Sequence, residues 1–183
     1  RVVPSQESGN RPGNHPGCPA VTTPAGVTSR PCDENDDADW WAVRELLVRS
    51  HHASPPGWNW DVRRWDGSRF HNEVPGLPGW FTAQTHICEA GDGRLVGVVL
   101  PESPDEVYLE LDPDFRHLQA EMLDWAEANR TAAAGGPSHL ELFTWDFDLP
   151  RRELLRERGY EELQAGGWQR RLRFGRWAIE PPG

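Results

Sequence analysis

Apolar residues recur along this chain with two different spacings, and the change between them predicts where helices and strands lie. After an acidic stretch that suits the start of a helix, apolar side chains recur every three or four positions, at Trp40, Val43, Leu46 and Leu47. From Trp80 to Glu89 apolar and polar residues instead alternate, which is the period of a strand with one buried face. The chain therefore mixes helices with strands.

The same analysis of the whole sequence predicts eleven segments, and their order favours an α/β (α+β) fold with one mixed sheet and helices on both faces. The predicted strands are Val27 to Cys32, Trp80 to Glu89, Leu95 to Leu100, Glu106 to Leu111, Leu140 to Thr144, Tyr160 to Gln164 and Trp168 to Phe174. The predicted helices are the one that contains Trp40 and ends before Ser54, Asn59 to Phe70, Phe115 to Asn129, and one that starts near Pro150 and ends at Arg158-Gly159.

Both ends of the chain differ in composition from its middle. Prolines at positions 4, 12, 16, 19 and 24, with Gly, Ser and Asn between them, predict a disordered leader over residues 1–24. Residues 25–177 have the length and patterning of one domain, and residues 178–183 are predicted to be a tail.

Charge and cysteine content exclude several classes of protein. The formal net charge is −10, and this argues against a nucleic-acid or anionic-membrane surface, which needs clustered positive charge. No apolar run approaches the ~20 residues that span a bilayer, so no membrane partner is expected. Three widely separated cysteines, Cys18, Cys32 and Cys88, favour the reducing cytoplasm over a disulfide scaffold, and their spacing predicts no metal site.

Three local patterns together resemble one protein family. They are the hairpin Asp92 to Gly97, the strand end Leu111 to Arg116, and the helix end Leu154 to Tyr160. In this order they resemble the GNAT superfamily, the acetyl-coenzyme A-dependent N-acetyltransferases, over residues 27–174. The resemblance implies a mostly antiparallel sheet of about seven strands, with a splay between the fourth and fifth strands. Within the superfamily the chain resembles the actinobacterial relatives of mycothiol synthase, in which two such domains occur in tandem.

The resemblance also implies where acetyl-coenzyme A binds. In the family, a glycine-containing loop at the start of the third helix offers backbone N–H groups to the pyrophosphate, since free amides at a helix start attract anions. The backbone of Leu109 and Leu111 would align the pantetheine and the thioester. The residues that correspond to the loop contain no glycine, and Glu121 follows them, so the cofactor motif is degenerate. These residues are Arg116, His117, Leu118, Gln119 and Ala120.

Glu110 is the candidate catalytic residue. Family members often have a glutamate on the central strands as general base, and Glu110 is nearest to that position, with Glu89 and Glu141 as further candidates. The tyrosine that often serves as general acid on the last helix is replaced by Leu155. The alternative for Glu110 is a strand carboxylate that faces solvent.

Three tryptophans, Trp58, Trp60 and Trp65, lie on the segment that forms the acceptor side in the family. They are predicted either to line a substrate pocket or to pack in the core. Asp61 and Asp66 beside them would attract a cationic amine.

Two functions follow from the resemblance. The first is transfer of an acetyl group from acetyl-coenzyme A to a primary amine of a small molecule or peptide. The second is a catalytically degenerate domain that acts as a binding or structural half of a tandem protein, which the missing glycines and the missing tyrosine favour. A second GNAT domain or a homodimer is the expected protein partner.

Overall fold

A single sheet joins all the strands that the structure describes. This computed structural model describes residues 2–4, 21–22, 26–33, 36–54, 59–70, 84–130 and 139–163. Within these ranges the strands are β1 Val2–Pro4, β2 Val21–Thr22, β3 Val27–Pro31, β4 His86–Ala90, β5 Leu95–Pro101, β6 Glu106–Leu111, β7 Glu141–Leu142 and β8 Tyr160–Glu162. Their order across the sheet is β2-β3-β4-β5-β6-β7-β1-β8. All neighbours are antiparallel except β6 and β7.

Helices cover both faces of the sheet, as the sequence predicts. The helices are α1 Asp37–Ala53, α2 Val62–Phe70, the 3₁₀ helix Pro113–Leu118, α3 Gln119–Arg130 and α4 Leu149–Glu157. On one face, Trp40 and Leu46 of α1 pack with Val98 of the sheet. On the other face, Met122 of α3 and Leu155 of α4 belong to a second core. Among the described residues no helix has the length and apolar character needed to cross a bilayer.

Most predicted elements are found close to their expected limits. Helix α2 begins at Val62 rather than Asn59, because the Asp61 carboxylate accepts the Arg63 N–H at 2.9 Å and so caps the helix there. The predicted strand from residue 80 begins only at His86, and residues 80–83 lie outside the described residues. The predicted final strand over 168–174 also lies outside them.

The prediction of a disordered leader is wrong for five of its residues. Val2–Pro4 lies between β7 and β8, with Val2 opposite Leu142, and Val21–Thr22 pairs with β3. Composition averaged over 24 residues hides these two short runs of β-branched residues, which favour strands. The rest of the leader lies outside the described residues, and the domain limits stay predictions.

The parallel strands β6 and β7 separate after a very short contact. Their paired residues are Glu106 with Glu141 and Val107 with Leu142. The last described hydrogen bond between them runs from Phe143 N–H to the Val107 carbonyl, at 3.2 Å. Strand β6 continues to Leu111 while β7 has ended, so the predicted splay between the fourth and fifth predicted strands is confirmed.

Gly97 marks a close contact between the sheet and α3. A Cβ at this position would lie 3.0 Å from the Met122 sulfur and 3.3 Å from side-chain atoms of Cys88 and Leu111.

We expect Gly97→Ala to reduce the free energy of unfolding by about 1–3 kcal/mol because it overpacks this core. Gly67→Ala is the matched control. Its Cβ meets nothing within 4 Å, and alanine in a helix should raise stability by about 0.5–1 kcal/mol. Urea unfolding of both variants measures this, and equal effects would contradict the packing argument.

His86 predicts a loss of stability in acid. Its ring is buried and stacked on Trp125 at 4.0 Å, and neither ring nitrogen has a hydrogen-bond partner among the described residues. Burial lowers the pKa of His86 to about 4. Between pH 6.5 and 4 the unfolded chain therefore binds a proton at His86 and the folded chain does not. The contribution of His86 to the free energy of unfolding is fully present above pH 6.5 and falls by roughly 3 kcal/mol as the pH drops towards 4.

Urea unfolding at pH 7, 5.5 and 4.5 should show His86→Phe, whose ring keeps the stack, gaining up to roughly 3 kcal/mol of stability relative to the wild type as the pH falls. His52→Phe, at an exposed position, should keep the wild-type slope. The same acid slope in His86→Phe would contradict the assignment.

Candidate functional site

Glu110 lies where the two parallel strands have separated. It is 6 % exposed, and its side chain shares the α1–α2 face of β6 with Tyr108, since alternate residues of a strand face the same way. Trp60 N–H donates to Glu110 Oε1 at 2.8 Å. The alternative that Glu110 faces solvent is therefore wrong, and its role as a general base stays a prediction.

The pKa of Glu110 falls in the range in which a carboxyl can exchange a proton near neutral pH. Burial raises this pKa to about 7, against the opposing effects of the Arg151 charge and the Trp60 N–H. A buried carboxyl with such a pKa, held by one backbone donor, has the properties of a general base or acid.

An aromatic cavity adjoins Glu110. Its volume is about 420 Å³, within the range of small-molecule sites, and Trp60 separates it from Glu110. Tyr108 enters from β6 and Trp145 from the segment after β7, so the cavity spans the opening between the two strands. The lining residues are Asn59, Trp60, Asp61, Arg63, Arg64, Tyr108 and Trp145.

The predicted pocket tryptophans have different positions. Trp60 is buried, forms part of the cavity wall, and donates from Nε1 to Glu102 at 3.0 Å. Trp65 is fully buried, stacks on Trp40 at 6.1 Å and donates to its carbonyl at 3.0 Å. The assignment of Trp65 to a pocket is therefore wrong, because helix α2 turns this ring into the core. Trp58 lies outside the described residues.

Only one of the two neighbouring aspartates reaches the cavity. Asp61 lines it and binds Arg63 Nε at 2.9 Å, and this hydrogen bond holds the pKa of Asp61 below its ordinary value despite partial burial. Asp66 instead forms an ion pair with Arg44 on α1, at 3.0 Å. An amine in the cavity would therefore meet Asp61 but not Asp66.

The segment that corresponds to the cofactor loop is helical rather than open. A 3₁₀ helix spans Pro113–Leu118, capped by the Asp112 side chain and kinked at Phe115, whose backbone angles are not helical, and α3 follows directly at Gln119. Phe115 N–H donates to the Asp112 carbonyl at 2.9 Å, and Gln119 N–H donates to the Arg116 carbonyl. Residues 116–118 thus form a short helical turn between this kink and α3.

The side chains of this segment hold the start of helix α4. Arg116 Nη1 donates to Asp148 Oδ1 at 2.7 Å, and Arg151 Nε donates to Gln119 Oε1 at 2.8 Å. Arg151 and Asp148 also lie 3.6 Å apart, and the Asp148 carboxylate caps α4. We call these four residues, Arg116, Gln119, Asp148 and Arg151, the cleft network.

Two of the charges in the cleft network are buried, so the network is costly to break. Arg151 is 5 % exposed and Asp148 is 4 % exposed. Burial lowers the pKa of Arg151, while the Asp148 and Glu110 charges act in the opposite direction. Burial would also raise the pKa of Asp148, but the hydrogen bond from Arg116 and the charge of Arg151 hold it below its ordinary value. Breaking such a buried pair leaves an uncompensated charge and is strongly destabilising.

The side chains of this segment are turned towards α4 rather than towards a pyrophosphate. Arg116 binds Asp148 and Gln119 binds Arg151, and the segment contains no glycine. Leu118 packs in the core and His117 is exposed, and Ala120 lies half-buried in the first turn of α3. The assignment of residues 116–120 to the cofactor stays a prediction that this geometry does not support.

The remaining candidates lie around the same strands. The side chains of Leu109 and Leu111 pack in the α3 core, and their backbone lies beyond the last paired residues of β6 and β7. Glu89 binds Arg30 at 3.3 Å, at the far side of the sheet, and Glu141 is on β7 near His139. No cluster of three metal-ligating side chains occurs within the described ranges.

Sequence patterns gave no indication of four residues of the site. Tyr108 alternates with apolar neighbours like any strand residue, and Trp145 follows a strand in an irregular segment. Asp148 stands before a helix like an ordinary cap residue, and Arg151 stands in its first turn like an ordinary surface arginine. Their joint position depends on the separation of β6 from β7, which no local pattern encodes.

Glu110 predicts a pH dependence of stability with the opposite sign to His86. Because its folded-state pKa is raised, the folded chain keeps a proton that the unfolded chain releases between pH 4.5 and 7. This contribution is fully present below pH 4.5 and is lost as the pH rises through 7, by roughly 3 kcal/mol. Glu110→Gln should remove it while keeping the acceptor for Trp60 N–H.

Urea unfolding between pH 5 and 8 measures this contribution. Glu157→Gln on the exposed side of α4 serves as the control and should retain the wild-type slope. If the wild type and Glu110→Gln lose stability in parallel, Glu110 is not the titrating group.

Comparison with known proteins supports the fold. The GCN5-related N-acetyltransferase from Sphaerobacter thermophilus is similar to this chain with a TM-score of 0.52 and 17% identity, over 87% of this chain and 46% of that chain. This chain thus spans about half the length of that protein. An acetyltransferase of Trypanosoma brucei is similar over 81% of this chain and 99% of that chain, with 19% identity. Its TM-score is 0.40, and this structural similarity is too low to support an argument. No protein-family model and no curated protein matches. At this identity the likeness establishes the fold alone, and the chain has the GNAT fold.

Proposed function

We propose that this chain is a GNAT-fold domain that binds a primary amine and has lost the family's way of holding acetyl-coenzyme A. The observation that carries the proposal is the cleft network. It ties the start of α3 to the start of α4, at the place where the family resemblance puts the cofactor. A pyrophosphate would have to displace two buried charges that now neutralise one another.

The amine part of the proposal rests on the cavity beside Glu110. Three aromatic residues, Trp60, Tyr108 and Trp145, line the cavity, and a cation next to the face of such a ring is attracted by its quadrupole. Asp61 adds a carboxylate that stays ionised. The ligand class is a small-molecule or peptide amine.

N-acetyl transfer to that amine is the second candidate, and Glu110 favours it. With a pKa of about 7, the Glu110 carboxyl exchanges a proton at neutral pH, and a proton from an ammonium group in the cavity would have to pass Trp60 to reach it. An acetyl donor would then need other contacts than free amides over residues 116–120.

The proposed protein partner is a second GNAT domain of a tandem protein, with a homodimer as the alternative. The length of the Sphaerobacter protein, of which this chain covers 46%, supports a tandem arrangement. Two cysteines in the described residues, Cys32 and Cys88, are buried and unpaired, which supports a cytoplasmic location.

Isothermal titration of the folded protein separates the two candidates. We expect no heat with acetyl-coenzyme A or desulfo-coenzyme A up to millimolar concentration, and saturable binding of 2-phenylethylamine. Trp145→Leu should weaken the amine about five- to tenfold through the lost cation–π contact. Trp41→Leu, an exposed tryptophan outside the cavity, is the matched control and should bind normally.

Micromolar binding of acetyl-coenzyme A would contradict the proposal and make acetyl transfer the function to pursue. Absence of amine binding by a folded sample would contradict the cavity assignment.

A further inference from the structure

Two arginine side chains, Arg63 and Arg64, line the cavity, although the chain as a whole is acidic, with a formal net charge of −10. Arg63 pairs with the Asp61 carboxylate, which also lines the cavity. Arg64 pairs with the Glu102 carboxylate, which also accepts from Trp60 of the cavity wall. A site for a simple amine does not need them, because they repel a cation.

Neither arginine is fully used by its protein partner. Arg63 donates from Nε and Nη2 to Asp61, at 2.9 and 2.5 Å, and Arg64 donates from Nη1 to Glu102 at 2.6 Å. A guanidinium carries five N–H donors, so each side chain keeps donors with no described partner. The Arg63 side chain is 87 % exposed and the Arg64 side chain is 52 % exposed, so a ligand in the cavity can reach both.

The aromatic walls define the body of the ligand. Tyr108 stacks on Phe143 at 4.4 Å with the ring planes 4° apart, which fixes the Tyr108 ring as a flat wall. Trp60 lies 6.3 Å from Tyr108, and Trp145 stacks on Phe147 with the planes 8° apart. Fixed flat walls of this kind favour a planar ring over a flexible chain, since aromatic pairs prefer stacked or edge-to-face contact.

We infer that the ligand is an aromatic amino acid, which carries a planar ring, an ammonium group and a carboxylate. The ring contacts Trp60, Tyr108 and Trp145, and the ammonium contacts Asp61. The carboxylate accepts hydrogen bonds from the unused donors of Arg63 and Arg64, a pairing that guanidinium groups favour. This inference rests on the proposed amine-binding function, and it adds the carboxylate as the group that sets specificity.

The test compares three probes that differ in the carboxylate. L-phenylalanine, L-phenylalaninamide and 2-phenylethylamine share the ring and the amine, and only the first has a negative charge. By isothermal titration at pH 7 we expect L-phenylalanine to bind at least about tenfold more tightly than either of the others. Arg63→Gln and Arg64→Gln should each reduce this preference to about threefold or less, and 2-phenylethylamine should bind these variants as tightly as the wild type or more tightly, because a charge that repels a cation is removed.

Arg152→Gln is the control variant. Arg152 is also a half-exposed arginine in an ion pair, with Glu162 at 3.2 Å, but it lies on α4 away from the cavity. It should keep the full preference for L-phenylalanine. Urea unfolding confirms that each variant is folded before its binding is compared.

The outcomes separate the inference from the proposed function. Equal or tighter binding of 2-phenylethylamine relative to L-phenylalanine overturns the inference and leaves the amine-binding function in place. A preference for L-phenylalanine that survives in Arg63→Gln and Arg64→Gln also overturns it, because the carboxylate is then held elsewhere. If none of the three probes binds to the folded wild type, the amine-binding function falls and the inference falls with it.

Discussion

The site depends on how little of β6 is paired with β7. Two residue pairs join these parallel strands, and beyond Val107 the edge of β6 has no strand partner on that side among the described residues. A fully paired strand would bring β7 alongside Glu110 and Tyr108. Because the strands separate instead, Trp145 can reach the cavity from the segment after β7, and the charge of Arg151 on α4 acts on Glu110. The cavity and the cleft network are both consequences of this one interruption.

Removing charges from water is the main energetic constraint on this region. Glu110, Asp148 and Arg151 are each at most 6 % exposed, and an isolated buried ion is costly. Asp148 and Arg151 meet this constraint by pairing with each other and with Arg116 and Gln119. Glu110 has a single described hydrogen bond and meets it by a raised pKa. Charge pairing therefore stabilises the cleft, and Glu110 remains the group that can exchange a proton.

Local patterns predicted the elements well, and they predicted poorly what those elements bring together. Helical spacing found α1, the apolar run after a predicted hairpin turn found β5, and alternation found β6, because each pattern extends over several residues. Val2–Pro4 was missed because three residues carry no periodicity, and its place beside Leu142 is a contact between distant parts of the chain. Trp60 and Trp65 look alike in sequence, yet Trp60 lines the cavity and Trp65 packs in the core. Trp60 precedes the start of α2 at Val62 and Trp65 lies within the helix, and the sequence did not predict this helix start correctly.

The cofactor side and the amine side of Glu110 can change independently in this fold. The cleft network is built from the start of α3 and the start of α4, on the face opposite to α1 and α2. The cavity is built from the segment before α2, from β6 and from the segment after β7. No described residue belongs to both sets, and Glu110 lies between them with Trp60 on one side and the Arg151 charge on the other. A domain whose residues 116–120 contain no glycine can therefore keep the aromatic cavity, which is what the proposed amine-binding function requires.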